Sequence, residues 1–135
     1  MIVVDVNIVA YFFIEGERTE QARRLWQTDP DWRLPHLWRH EYLNVLASYV
    51  RHAGADPADA LMLWRRAADL LVEAEMEINW EAALDLAVRE DISAYDAQYI
   101  VLARALDTVC ITQDRALLKK FPEVAWTMKQ MHGSS

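Results

Sequence analysis

Two short apolar runs constrain this chain more than anything else in it. The opening Met1-Ile2-Val3-Val4 stops at Asp5, and Thr108-Val109-Cys110-Ile111-Thr112 ends two residues before Asp114. Both are rich in β-branched residues and neither alternates with polar ones. That is the pattern of strands covered on both faces, as in a parallel sheet. Parallel neighbours cannot be joined by a tight hairpin and need long crossovers, usually helices. In such open sheets, ligands bind outside the carboxyl ends of the strands, where these two runs deliver their acids.

The segments between the runs supply the helices. Asn7 can cap a helix with Ile8, Tyr11, Phe12 and Ile14 on its apolar side, ended by Gly16. A second, about 19–27, gathers Ala22, Leu25 and Trp26. Asp29-Pro30-Asp31 reads as a turn and Trp32-Arg33-Leu34-Pro35 as an extended piece. Tyr42, Val45, Leu46 and Tyr49 mark a long helix from about Leu37 to His52, stopped by Gly54. Asp56-Pro57-Ala58-Asp59 starts another, with Leu61, Trp64, Ala68 and Leu71 as its predicted buried stripe. Glu75-Met76-Glu77-Ile78 alternates like a half-exposed strand. Asn79 and Ser93 are predicted caps of two further helices, carrying Ala83, Leu86 and Ala87, then Ile100, Ala103 and Leu106. A short helix over 115–120 and a short strand over 124–126 complete an α/β fold with a mostly parallel sheet. The reading is one domain over 1–131 with a frayed tail over 132–135.

Composition narrows the function classes. The 135 residues are 53% hydrophobic and 26% charged, which is globular rather than disordered. No apolar run approaches the roughly 20 residues of a membrane span, and no basic stretch opens the chain, so neither a membrane partner nor a signal peptide is expected. The lone Cys110 allows no internal disulfide, which fits a reducing cytoplasm; it lies in an apolar strand, as an inert buried thiol would. A net charge of −7 argues against a generally basic nucleic-acid-coating surface. It leaves room for a nuclease, because carboxylates that hold metal ions also count as negative.

Besides Asp5 and Asp114, two acids fall near helix starts beside strand ends: Glu41, after the Leu34-Pro35 piece, and Asp96, after Ser93. Converging carboxylates repel one another unless a cation neutralises them. Hard oxygen donors select Mg²⁺ or Mn²⁺, and such a site suits phosphodiester hydrolysis. Each acid also has an ordinary structural reading. Asp5 can simply cap a helix, Asp96 stands at capping-box spacing from Ser93, Glu41 can be a solvated helix charge, and Asp114 can open a turn. The joint pattern carries the weight.

Val3-Val4-Asp5-Val6-Asn7-Ile8 is similar to a V-D-x-N/S/T strand end, and Glu41-Tyr42-Leu43-Asn44-Val45 to a glutamate that opens a helix. Ser93-Ala94-Tyr95-Asp96-Ala97-Gln98-Tyr99 is similar to S/T-x-Y-D-A-x-Y/F, and Ile111-Thr112-Gln113-Asp114 to T-x-D. Together, in order and spacing, they resemble the PIN-domain family, and within it the VapC-type toxins of bacterial toxin–antitoxin pairs. The resemblance implies a three-layer α/β/α fold around a mostly parallel sheet. It implies an endoribonuclease in which Asp5, Glu41, Asp96 and Asp114 hold one or two Mg²⁺ or Mn²⁺ ions and an activated water attacks the RNA in line. Asn7 would orient a carboxylate or the attacking water, and Thr112 would support Asp114. It also implies a cognate antitoxin whose C-terminal segment covers the site, and a homodimer.

Other chemistries lack their motifs. His36 and His40 are followed, not separated, by Glu41, so no H-E-x-x-H zinc site forms; there is no G-x-S-x-G elbow, and glycines only at 16, 54 and 133 allow no phosphate-cradling loop. Arg39, Arg115, Lys119 and Lys120 are candidates for RNA phosphate contacts, or else solvated helix charges. Trp26, Trp38 and Trp64 are candidates for lining an antitoxin groove, or else core, with Trp64 on its helix's apolar stripe. The reading from another class is a non-catalytic PIN-like module that binds a protein partner.

Overall fold

The structure is a computed structural model and describes residues 1–132. The chain runs β1 (Ile2–Val4), α1 (Val6–Phe13), α2 (Thr19–Thr28), β2 (Trp32–Pro35), α3 (Trp38–Ala53) and α4 (Pro57–Leu71). A 3₁₀ turn (Val72–Ala74) leads to β3 (Glu75–Met76), then α5 (Trp80–Glu90), α6 (Ala94–Ala105), β4 (Cys110–Ile111), α7 (Arg115–Lys120), β5 (Ala125–Trp126) and α8 (Met128–Met131). The strand order is β3-β2-β1-β4-β5, and every neighbouring pair is parallel. Helices cover both faces, which gives the expected three layers.

The strand alternation explains the layers. Ile2 and Val4 point into a core shared with α1, α2, α3 and α4, while Val3 points into a second core built on α5, α6 and α7. Ile111 and Cys110 divide between the two cores in the same way. Side chains on both faces are buried, so the runs carry no polar alternation.

Topology places the candidate site. Order runs outward from β1 through β2 to β3 on one side, and through β4 to β5 on the other. The switch point lies between β1 and β4, where open α/β sheets form their crevice. The register pairs Val3 with Cys110 and Val4 with Ile111. Asp5 and Thr112 therefore leave the sheet side by side, and the Asp5 N–H still donates to the Ile111 carbonyl at 3.1 Å.

Local chemistry sets most boundaries where the sequence puts them. Gly54 closes α3 in the left-handed region at φ 73°, a conformation a Cβ would strain. Asp56, Asn79 and Ser93 each cap their helix through a side-chain oxygen. Five details depart from expectation. The cap of α1 is Asp5, not Asn7, since Asp5 holds the extended backbone and accepts the Ile8 N–H. Leu61 is 55% exposed, whereas Ala67 and Leu71 are the buried residues of α4. The 108–112 run pairs as a strand only over Cys110–Ile111, and β3 ends at Met76. The short α8 is an addition, fixed by a capping box between Thr127 and Gln130. His132 closes α8, and the other residues of the expected tail lie outside the described ones.

Candidate metal and nuclease site

Each acid arrives on a different element. Asp5 follows β1 and caps α1; Glu41 is in the first turn of α3; Asp96 is in the first turn of α6; Asp114 follows β4 and caps α7. The ordinary reading of Asp5 as a cap thus holds, and Asp114, read as the opening of a turn, caps a helix as well. Each cap uses one carboxylate oxygen: Asp5 Oδ1 accepts the Ile8 N–H at 3.2 Å, and Asp114 Oδ1 accepts the Leu117 N–H at 3.0 Å. Ser93 Oγ caps α6 by accepting the Asp96 N–H at 3.0 Å, so the Asp96 carboxylate is not used for capping.

Thr112 joins two of the acids. Its hydroxyl donates to Asp5 Oδ2 and accepts the Asp114 N–H at 3.0 Å. The residue is fully buried. It therefore holds the Asp5 carboxylate and the Asp114 backbone, whereas the sequence assigned it to Asp114 alone.

The acids act on one another. Burial raises the Asp5 carboxyl from 3.8 to about 6; the donors Thr112, Ile8 and Asn7 oppose the rise, and the Glu41 charge adds to it. Glu41 is also raised, first by burial and further by Asp96, with the Tyr99 hydroxyl opposing. Asp96 is raised by burial and by Asp114. An unbroken chain of repulsion thus runs from Asp5 through Glu41 and Asp96 to Asp114. Among the described residues, no three His, Cys, Asp or Glu side chains are already gathered closely enough to hold a metal ion.

The comparisons with known proteins bear on the family. The model of the PIN domain matches residues 2–124. The chain belongs to the PIN-domain family. Ribonuclease VapC3 of Pyrobaculum aerophilum is 30% identical over 125 residues, covering 90% of this chain and 95% of that protein. Ribonuclease VapC9 of Mycobacterium tuberculosis is 37% identical over 125 residues, covering 87% and 88%. The crystal structure of PAE2754 from Pyrobaculum aerophilum superposes with a TM-score of 0.77 at 22% identity, over 96% of this chain and 92% of that one.

Around the acids of this PIN domain, the other candidates separate. The Asn7 side chain is exposed on α1, and its backbone N–H is directed at the Asp5 carboxylate. Arg39 is committed elsewhere: its guanidinium pairs with Glu75, 6% exposed, which also receives His36 Nδ1 at 2.5 Å. Burial alone would raise Glu75, but Arg39 and His36 outweigh it and hold its carboxyl below the usual range. Lys120 Nζ donates to the backbone carbonyls of Glu90 and Asp91 at the end of α5. Arg115 and Lys119 are exposed on α7, and no hydrogen bond or ion pair engages either among the described residues.

The tryptophans divide as well. Trp38 is fully buried in the core of the PIN domain and stacks on Trp64 with ring centroids 6.0 Å apart. Trp26 packs on Trp32 and Phe12. Trp64 lines an apolar groove of about 510 Å³ between α3 and α4 that includes Leu43, Val50, Leu61 and Arg51. Tyr99 is the polar side chain of the site that sequence reasoning passed over: its hydroxyl donates to Glu41 Oε1 at 2.6 Å. Its spacing of three residues from Asp96 on α6 was the available signal.

Proposed function

We propose that this protein is a Mg²⁺- or Mn²⁺-dependent endoribonuclease, the toxin of a toxin–antitoxin pair, with Asp5, Glu41, Asp96 and Asp114 as its catalytic, metal-holding carboxylates. The observation that carries the reading is the placement of these four acids, two at the carboxyl ends of β1 and β4 beside the switch point of the sheet and two in the first turns of α3 and α6, with Thr112 joining Asp5 to Asp114. Such an arrangement disfavours the ionised folded state unless a cation offsets it. An all-oxygen donor set fits a hard divalent ion. When bound, that ion supplies an activated water and charge compensation for phosphodiester hydrolysis.

The chain's own residues do the rest. Thr112 fixes the orientation of Asp5 and the backbone of Asp114. Asn7, one turn into α1, orients the attacking water or a carboxylate. Arg115 and Lys119 meet RNA phosphates, and the net charge of −7 makes these local cations matter more. Arg39 serves the fold through Glu75 rather than the RNA. The apolar groove between α3 and α4, with Arg51 at its rim in no ion pair among the described residues, supports docking of an antitoxin helix bearing acids beside an apolar face. The working form is a cytoplasmic homodimer. No helix among the described residues is long and apolar enough to cross a membrane.

The test is growth. Expression of the wild-type protein without its antitoxin should arrest a bacterial host, and Asp96→Asn should not. A folded Asp96→Asn protein that still arrests growth would remove the site assignment. The reading as a non-catalytic binding module has one observation on its side, the absence of a ready-gathered donor triad among the described residues. It predicts that divalent metal leaves the melting temperature unchanged. Mn²⁺ stabilisation that disappears in Asp114→Asn would dismiss it.

A further inference from the structure

Tyr99 occupies a position that packing alone does not account for. Its ring lies in the core on the α5–α6 side and is 2% exposed, yet its hydroxyl reaches across the crevice to the first turn of α3. There it donates to Glu41 Oε1 at 2.6 Å, the short distance of a charge-assisted hydrogen bond. Among the described residues no other hydrogen bond engages the Glu41 carboxylate, so Oε2 is left without a partner. Tyr99 and Asp96 lie one turn apart on α6, and the bond therefore ties the helix of one acid to the side chain of another.

A half-buried glutamate beside Asp5 and Asp96 is pushed by both charges. With three rotatable side-chain bonds it relaxes by swinging toward solvent. A hydroxyl anchored on a buried ring opposes that swing, because the ring has little freedom of its own. We infer that Tyr99 is a positioning residue for Glu41: it holds Oε1 and so presents Oε2 to the divalent cation. The inference rests on the reading of Glu41 as a metal-holding residue. It adds a division of labour between the two carboxylate oxygens and assigns a role to the Tyr99 hydroxyl itself.

The experiment is Mn²⁺ titration by calorimetry on wild type, Tyr99→Phe, Glu41→Gln and the double variant, with melting in chelator as the control for folding. Loss of the hydroxyl should weaken Mn²⁺ binding by about 10-fold, the low end for a partner that orients a metal ligand. RNA cleavage by Tyr99→Phe should recover as Mn²⁺ is raised, which a general packing defect would not allow. Tyr99→Phe should add nothing once Glu41 is Gln. A folded Tyr99→Phe protein that binds Mn²⁺ within twofold of wild type overturns the inference and leaves the site reading intact. A wild-type protein whose Mn²⁺ binding does not depend on Asp5 and Asp96 overturns both. Should Tyr99→Phe fail to fold, Glu41→Asp keeps the charge and withdraws the carboxylate from the hydroxyl; unchanged Mn²⁺ affinity in that variant overturns the inference too.

Discussion

Asp5→Asn should make the metal-free protein more stable while destroying its function. The Asp5 carboxyl is buried and lies at about 6 instead of 3.8, so at neutral pH the folded state holds a charge it disfavours. At about 1.4 kcal/mol per tenfold change in proton affinity, that shift corresponds to about 3 kcal/mol. Asparagine removes the charge and keeps a side-chain oxygen for the Ile8 N–H, so the helix cap survives. Its amide matches the Thr112 hydroxyl less well, because that hydroxyl now donates to Asp5 Oδ2. Allowing about 1–2 kcal/mol for this mismatch, the net gain is about 1–2 kcal/mol, or about 3–7 °C in melting temperature for a domain of this size.

The sign follows from proton counting. Between about pH 4 and pH 6 the folded wild type binds more protons at Asp5 than the unfolded chain does, so its stability falls as pH rises through that window. The difference should therefore change sign: Asp5→Asn should be about 1–2 kcal/mol less stable than wild type below pH 4, through the Thr112 mismatch alone, and about 1–2 kcal/mol more stable above pH 6. Thermal melts of both proteins in chelator across pH 4–8 measure it. With Mn²⁺ added, the order should reverse, since only wild type gains from the metal. An Asp5→Asn protein no more stable than wild type at pH 7 in chelator, or a gap indifferent to pH, would refute the electrostatic argument.

Removing the hydroxyl that joins Asp5 to Asp114 should cost both stability and rate. Thr112→Val leaves the Asp114 N–H without its acceptor and should lower unfolding free energy by about 1–3 kcal/mol, read by urea denaturation, with cleavage down about 10–100-fold; Thr112→Ser should restore most of both. Arg115→Ala with Lys119→Ala should raise the KM for RNA, hold kcat, and flatten the dependence of log affinity on log salt by about 1.5, the sum for two phosphate contacts. An unchanged salt slope in binding titrations would take α7 out of the RNA-contacting surface.

The parts of the fold legible in the sequence are those decided locally. Strands buried on both faces show as unbroken β-branched runs, and helix limits show where Gly54, Asp56-Pro57 or Ser93 supply a specific backbone or capping need. The positions of the four candidate acids were legible because two end such strands and two stand in first helical turns. What the sequence hid depends on partners far along the chain. Asp5 and Asn7 are equally good caps by residue type; the choice fell to Asp5 because β1 stays hydrogen-bonded to β4 up to that residue. Leu61 reads as core by spacing, but α4 has a second apolar face on the open groove, and Ala67 takes the inner position. Arg39 reads as a candidate phosphate contact or a solvated helix charge; its pairing with Glu75 depends on β3, far along the chain, and does not show in the sequence. At position 99 the pattern accepts Tyr or Phe, so only the structure singles out the hydroxyl.

The most direct test of the account is a map of new RNA 5′ ends after total RNA meets the purified, antitoxin-free protein with Mg²⁺ or Mn²⁺. The account predicts discrete ends that require the metal, vanish in chelator, and are absent with Asp96→Asn. Identical ends from wild type and Asp96→Asn, or ends formed equally well in chelator, would contradict it.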